Sequence, residues 1–129
     1  MSKDYLLVVD DHVGVRRLLC EFLSREGFCV KEAPDGHTAL QIVREEKPEL
    51  TFLDLKMPGL SGIETLNKLN ELRLNIPVVV MSASTQDKAV MTAVRNGFVK
   101  HFLPKPFDLE NLRLVLHSLI SDSLKTTKL

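Results

Sequence analysis

The sequence predicts an α/β chain folded as a doubly wound, five-stranded parallel sheet, and three observations carry that prediction. Five short apolar runs recur along the 129 residues, helix-periodic stretches separate them, and the first and fourth runs are apolar throughout rather than alternating. Unbroken apolar runs suit strands covered by helices on both faces, and regular alternation of strand and helix is the pattern of right-handed β-α-β crossovers. A chain of this length builds one hydrophobic core. Residues 1–120 are expected to form it, followed by a short polar tail over 121–129.

The first run, Tyr5 to Val9, leads through Asp10 and Asp11 into Val15, Leu18, Leu19, Phe22 and Leu23, one apolar stripe of a helix that Gly27 can end. The second run is Phe28 to Val30. Asp35 and Gly36 then open a helix carrying Ala39, Leu40 and Val43, which has to finish before Pro48 because a residue preceding proline is driven out of the helical region. After the third run, Leu50 to Leu53, Ser61 and Glu64 form a capping box. It starts a helix at about Gly62 with Ile63, Leu66 and Leu69, ending before Pro77. The fourth run, Val78 to Met81, is followed by a second capping signal, Ser84 with Asp87, before Ala89, Val90, Ala93 and Val94. The fifth is Phe102 to Leu103, after which Asp108 can cap a last helix with Leu109, Leu112, Leu116, Leu119 and Ile120.

Charge narrows the function. Lys plus Arg total 17 and Asp plus Glu total 17, so no net field draws the chain onto nucleic acid or an anionic membrane. No apolar run approaches the roughly 20 residues that span a bilayer, and the first ten residues lack the pattern of a signal peptide. A cytoplasmic protein with no nucleic-acid or membrane partner is expected. Cys20 and Cys29 fit neither a metal-ligand spacing nor a disulfide framework and read as two buried thiols.

In an open α/β sheet, ligands bind beyond the carboxyl ends of the strands. Those positions hold Asp10 and Asp11, Asp54, Ser82 and Lys105. Taken singly, each has a structural explanation: Asp11 as a helix cap, Asp54 as a loop carboxylate, Ser82 as a turn residue. Together they describe a site. Three carboxylates within about 4 Å repel by roughly 4 kcal/mol per pair at an effective dielectric near 20, and a divalent cation removes that cost. Oxygen donors without Cys or His point to Mg²⁺, which keeps waters and a phosphate oxygen in its shell. Lys105 adds a charge for a phosphoryl oxygen and Ser82 a hydroxyl donor, so the expected chemistry is phosphoryl transfer.

VVDDH around Asp10 and Asp11, LDLKMPGLSGIE around Asp54, VVVMSA around Ser82 and KPF at Lys105 resemble the receiver domains of two-component response regulators, from Tyr5 to about Ile120. The resemblance implies a flavodoxin-like fold with strand order 2-1-3-4-5. It implies that Asp54 is the phosphoacceptor in a phosphorylation the domain itself catalyses, with Lys105 contacting the phosphoryl group. It also implies that Asp10, Asp11, Asp54 and the backbone carbonyl of Lys56 hold Mg²⁺, that Ser82 is a switch hydroxyl, and that the peptide bond before Pro106 is cis.

Gly14 and Arg16, Lys56, His101 with Phe102, and PFDLENL after Lys105 are similar to the single-domain receivers of the sporulation phosphorelay. That similarity implies a monomeric intermediate that takes a phosphoryl group from a sensor histidine kinase and hands it to a histidine phosphotransferase bundle. The expected partner surface is His12, Gly14, Val15, Leu18, Lys56 and His101, with Val15 and Leu18 also on the core stripe. Lys56 is expected to shield the phosphoryl group from water.

One departure shifts the register near the fifth strand. Receivers usually carry a Gly-Ala pair, and its glycine is one residue nearer the lysine than Gly97, which Phe98 follows. Counting from Gly97 puts His101 at the switch-ring position; counting back from Lys105 puts Phe102 there, the favoured choice because the lysine fixes the strand end. His12, His37, His101 and His117 show no ligand spacing. The alternatives are a generic stand-alone receiver, or a receiver cut from a transcription regulator, although no output domain fits after Ile120. A haloacid-dehalogenase-type hydrolase fails because its nucleophile follows strand one in a D-x-D pattern, where this chain has Asp10-Asp11-His12.

Overall fold

The computed structural model describes residues 4–56, 61–82, 88–97, 99–105 and 108–119. Elements alternate as the apolar pattern predicts: β1 (Leu6–Val9), α1 (Val13–Arg25), β2 (Val30–Ala33), α2 (Gly36–Glu45), β3 (Leu50–Asp54), α3 (Gly62–Glu71), β4 (Val78–Ser82), α4 (Lys88–Arg95), β5 (His101–Pro104) and α5 (Leu109–Leu119). The five strands form one parallel sheet in the order β2-β1-β3-β4-β5.

Alternate residues of each strand enter opposite halves of the core. Leu7, Val9, Leu53 and Val80 pack with Ala39, Leu40, Leu66 and Ala93, so α2, α3 and α4 cover one face. Leu6, Val8, Phe52, Met81 and Leu103 pack with Leu19, Phe22, Leu23, Leu112 and Leu116, so α1 and α5 cover the other. β1, β3 and β4 are buried along their whole length, which is why their sequences do not alternate.

Helix ends follow local chemistry. Asp35 accepts from the Thr38 N–H at 2.8 Å, and Asp108 accepts from the Asn111 N–H at 2.7 Å. Ser61 and Glu64 form the reciprocal capping box at 3.2 and 3.1 Å. Gly27 ends α1 at φ 99°, a conformation that suits glycine.

Several expectations need correction. β2 begins at Val30 rather than at Phe28; Phe28 is a buried core residue and β2 continues through exposed Lys31 and Glu32. As an edge strand it presents polar residues to water, so its apolar signal stops where the strand starts. β5 runs one residue further at each end than expected. Leu18 is 48% exposed and off the core stripe, Val15 is half-buried, and Val94 and Leu109 are also exposed. Both thiols are half-buried rather than buried. The Ser84–Asp87 cap, the side chains of Ala89 and Val90, Phe98, the peptide bond before Pro106, Ile120 and the tail lie outside the described residues.

Candidate functional site

Parallel pairing carries the ends of β1, β3, β4 and β5 to one edge of the sheet, which assembles the site from residues far apart in sequence. Asp10 follows β1, Asp54 ends β3, Ser82 ends β4, and Lys105 follows β5, its main-chain N–H donating to the Ser82 carbonyl at 2.8 Å. Asp10, Asp54 and Ser82 are all buried. Two close approaches fix this edge. The Gly62 N–H donates to the Leu55 carbonyl at 3.1 Å, and a Cβ on Gly62 would lie 2.4 Å from the Asp54 carbonyl oxygen, so only glycine lets α3 start here. On the other side, Arg16 donates to the Asp10 carbonyl at 2.8 Å.

Lys105 bridges the two buried carboxylates. Its Nζ lies 2.8 Å from Asp10 Oδ2 and 3.3 Å from Asp54 Oδ1. The second Asp10 oxygen accepts from the His12 N–H at 2.9 Å, and Asp54 Oδ1 accepts a longer bond from the Lys56 N–H at 3.4 Å. The His12 ring nitrogen Nδ1 stands 3.5 Å from Asp10 and 3.4 Å from Asp11. Asp11 Oδ1 is buried and receives no hydrogen bond among the described residues.

Burial, and then the charge of Asp10, hold the Asp54 carboxyl above the ordinary carboxylate range, against the opposing pull of the Lys105 ammonium and the Lys56 N–H. Burial draws the Lys105 ammonium down, but its hydrogen bond to Asp10 and the charges of Asp54 and Asp10 outweigh burial and leave it raised.

Donor atoms of Asp10, Asp11, His12 and Asp54 lie within 4.8 Å of one another. The set can coordinate a divalent cation. Three carboxylates with one ammonium between two of them leave a negative balance, and Asp11 Oδ1, buried beside the His12 ring with no hydrogen bond among the described residues, is a hard donor. The fit therefore rests on donors present at the site.

Of the other expected residues, Lys56 is exposed at the rim. Phe102 is half-buried and packs on the α2–α3–α4 side of the sheet, whereas His101 is exposed, with its Nδ1 3.0 Å from the Phe102 carbonyl. His12, which precedes α1 and belongs to the cluster, is exposed, as are Gly14 and Leu18 on α1, and Val13 joins them at 51% exposure. Among the described residues, nothing lies within 4 Å of a Cβ built on Gly14.

Sequence reasoning missed three contributions. His12 stands in the acid cluster and adds a ring nitrogen to the candidate donors beside the expected oxygen set; its place next to Asp10-Asp11 was the available signal. Gly62 was read only as a helix start. The Arg16 contact with Asp10 had no short-range signal because it depends on how α1 lies against the sheet.

The profile of the response regulator receiver domain matches residues 6–117. The chain is 38% identical over 113 residues to sporulation initiation phosphotransferase F of Bacillus subtilis (strain 168), covering 88% of this chain and 90% of that protein. It covers 24% to 52% of the length of the longer curated relatives. Among solved structures, the receiver domain of NtrX from Brucella abortus superposes with a TM-score of 0.80 at 34% identity, covering 88% of this chain and 96% of that one. TrrA from Thermotoga maritima, in complex with Mg²⁺-BeF, superposes with a TM-score of 0.80 at 26% identity, covering 91% and 99%.

Proposed function

The chain belongs to the response regulator receiver family, and from that premise we propose that it is a phosphorelay intermediate whose acceptor is Asp54. The observation that carries this reading is the Lys105 ammonium set between Asp10 and Asp54 at 2.8 and 3.3 Å, on a buried acid cluster at the carboxyl edge of the sheet. Family membership implies a cognate sensor kinase. A carboxylate oxygen of Asp54 attacks the phosphorus of the kinase phosphohistidine; the P–O bond forms, the P–N bond breaks, and a proton goes to the leaving imidazole. Lys105 neutralises a phosphoryl oxygen during transfer, and the Ser82 hydroxyl, at the end of β4, donates to another. Mg²⁺, as in the TrrA complex, would be held by Asp10, Asp11, Asp54 and the Lys56 carbonyl, and would supply charge neutralisation for the phosphoryl oxygens.

Onward transfer reverses these bonds with a histidine of a phosphotransferase helical bundle. The exposed start of α1 supports that docking: His12 of the acid cluster leads into Val13, Gly14 and Leu18, all exposed, and no contact among the described residues requires glycine at position 14. His101 and Lys56 extend the same partner surface in this reading. The likeness to the sporulation phosphotransferase favours a relay over a generic stand-alone receiver or a transcription-regulator fragment. The protein acts as a monomer in the cytoplasm. Phosphorylation draws Ser82 toward the phosphoryl group, and the Phe102 ring moves into the vacated space. Lys56 shields the phosphate, so Lys56→Asn is expected to hasten its hydrolysis.

Incubation with acetyl phosphate and Mg²⁺ is expected to add the mass of one phosphoryl group, which Asp54→Asn abolishes; acid-labile phosphate on that variant would overturn the assignment. Gly14→Lys is expected to slow transfer from the sensor kinase while acetyl phosphate labelling persists. Equal loss of both would mean a folding defect instead, and unchanged kinase transfer would rule out a docking role for this face.

A further inference from the structure

At the edge of the sheet opposite the acid cluster, a cleft of about 610 Å³ opens between the end of α3 and the residues Asn96, Gly97 and Lys100 that lie between α4 and β5. Its apolar floor includes Leu69 and Ile76, and Arg73 and Lys100 stand at its rim. Neither cation has an ion pair among the described residues, and no described lining residue is acidic. The site is therefore positive in a chain of zero formal net charge.

Two further features are costly without a ligand. The side-chain Nδ2 of Asn70, a lining residue, is buried with no hydrogen-bond partner among the described residues, a loss of about 1–3 kcal/mol for a buried donor. Arg73, which also lines the cleft, adopts a left-handed φ of 55°, at roughly 1–2 kcal/mol for such a side chain, and Asn75 beside it is left-handed at 56°, which asparagine tolerates. Unpaired donors and non-glycine backbone strain concentrated at one cavity are the pattern of a binding site.

We propose that this cleft binds a small organic phosphate. A phosphate monoester dianion matches two unpaired cations, where a single carboxylate would leave one uncompensated, and Arg73 has the fork geometry that pairs with phosphate oxygens. The volume exceeds what inorganic phosphate fills and falls in the range of small-molecule sites, roughly 300–1,000 Å³, so the organic body lies on Leu69 and Ile76. Asn70 turns its amide to the ligand by rotation about its terminal torsion, which is broad for asparagine. The three amides of Asn70, Asn75 and Asn96 supply the remaining polar contacts.

The test is amide chemical-shift titration of the full chain, with a chelator present so that phosphate does not enter the acid cluster. The probes are AMP, glucose 6-phosphate and O-phosphoserine, their dephosphorylated counterparts, and inorganic phosphate. At least one ester is expected to shift Leu69–Asn75 and Asn96–Lys100 saturably, at least tenfold more tightly than inorganic phosphate, with no response to its dephosphorylated form. Arg73→Asn, which keeps a residue tolerant of left-handed backbone, and Lys100→Gln are each expected to weaken binding about tenfold. Esters no tighter than inorganic phosphate would reduce the cleft to an adventitious ion site and overturn the proposal. Shifts elsewhere, or unchanged affinity in both variants, would overturn it equally.

Discussion

Arg16 on α1 donates from Nη1 to the carbonyl oxygen of Asp10 at 2.8 Å, while its Nε donates to Glu32 on the edge strand at 2.8 Å. One largely buried guanidinium thus ties the turn carrying two carboxylates of the acid cluster to β2. Arg16→Met keeps much of the apolar stem and removes both bonds, and hydrogen bonds to charged groups contribute about 1.5–3 kcal/mol. A loss of that order in urea unfolding is expected, with acetyl phosphate labelling slowed several-fold while the protein remains folded. Unchanged labelling would show that Arg16 supports the fold without positioning Asp10.

Asp54→Asn is expected to stabilise the metal-free fold. Burial and Asp10 raise the Asp54 carboxyl, so the folded state holds its proton more tightly than the unfolded chain does. This group's contribution is most favourable below the ordinary carboxylate range and is lost as pH rises through the raised value. Asparagine does not titrate. The advantage of the variant, read from urea midpoints in a chelator, is expected to grow from pH 4 to pH 7; a constant difference would contradict the assigned cause.

Gly62→Ala is expected to damage both fold and site. The added Cβ would lie 2.3 Å from Leu55 Cα and 2.4 Å from the Asp54 carbonyl oxygen, both backbone atoms that cannot swing away. Overpacking of this kind costs about 1–3 kcal/mol. Thermal unfolding reads that loss, and the displaced Asp54 carbonyl is expected to slow labelling further than the unfolded fraction alone explains. Wild-type stability in Gly62→Ala would mean that α3 can start without this approach.

Tyr5, the single tyrosine, donates its hydroxyl to the Glu46 carbonyl. Burial first and the Glu46 carboxylate second push it up to about 12. The protonated form is favoured by folding, so this contribution is complete below pH 10 and disappears as pH rises toward 12. A near-ultraviolet tyrosinate titration reads this one ring directly. A midpoint near 10 in the folded protein would show that the hydroxyl is solvated rather than held.

The sequence by itself determined the order of elements, the capping at Asp35, Ser61 and Asp108, and the identity of the strand-end residues Asp10, Asp54, Ser82 and Lys105. These are local signals: apolar period, caps within three residues, and polar residues that interrupt an apolar run. Tertiary structure decided what depends on neighbours distant in sequence. The apolar spacing put Leu18 with Leu19 on one stripe, yet Leu19 faces the sheet and Leu18 faces water, because the rotation of α1 is set by its packing with β1 and α5. Phe28 carries the apolar signal of a strand but packs in the core, while β2 follows in residues that look polar because they lie at a solvent-facing edge. The Arg16 bond to Asp10, the Gly62 approach to Asp54 and the cleft lined by Arg73 and Lys100 join segments that only the packed sheet and its helices bring together. A one-dimensional pattern records each residue's preference for water or core; it does not record which backbone atom a distant helix will meet.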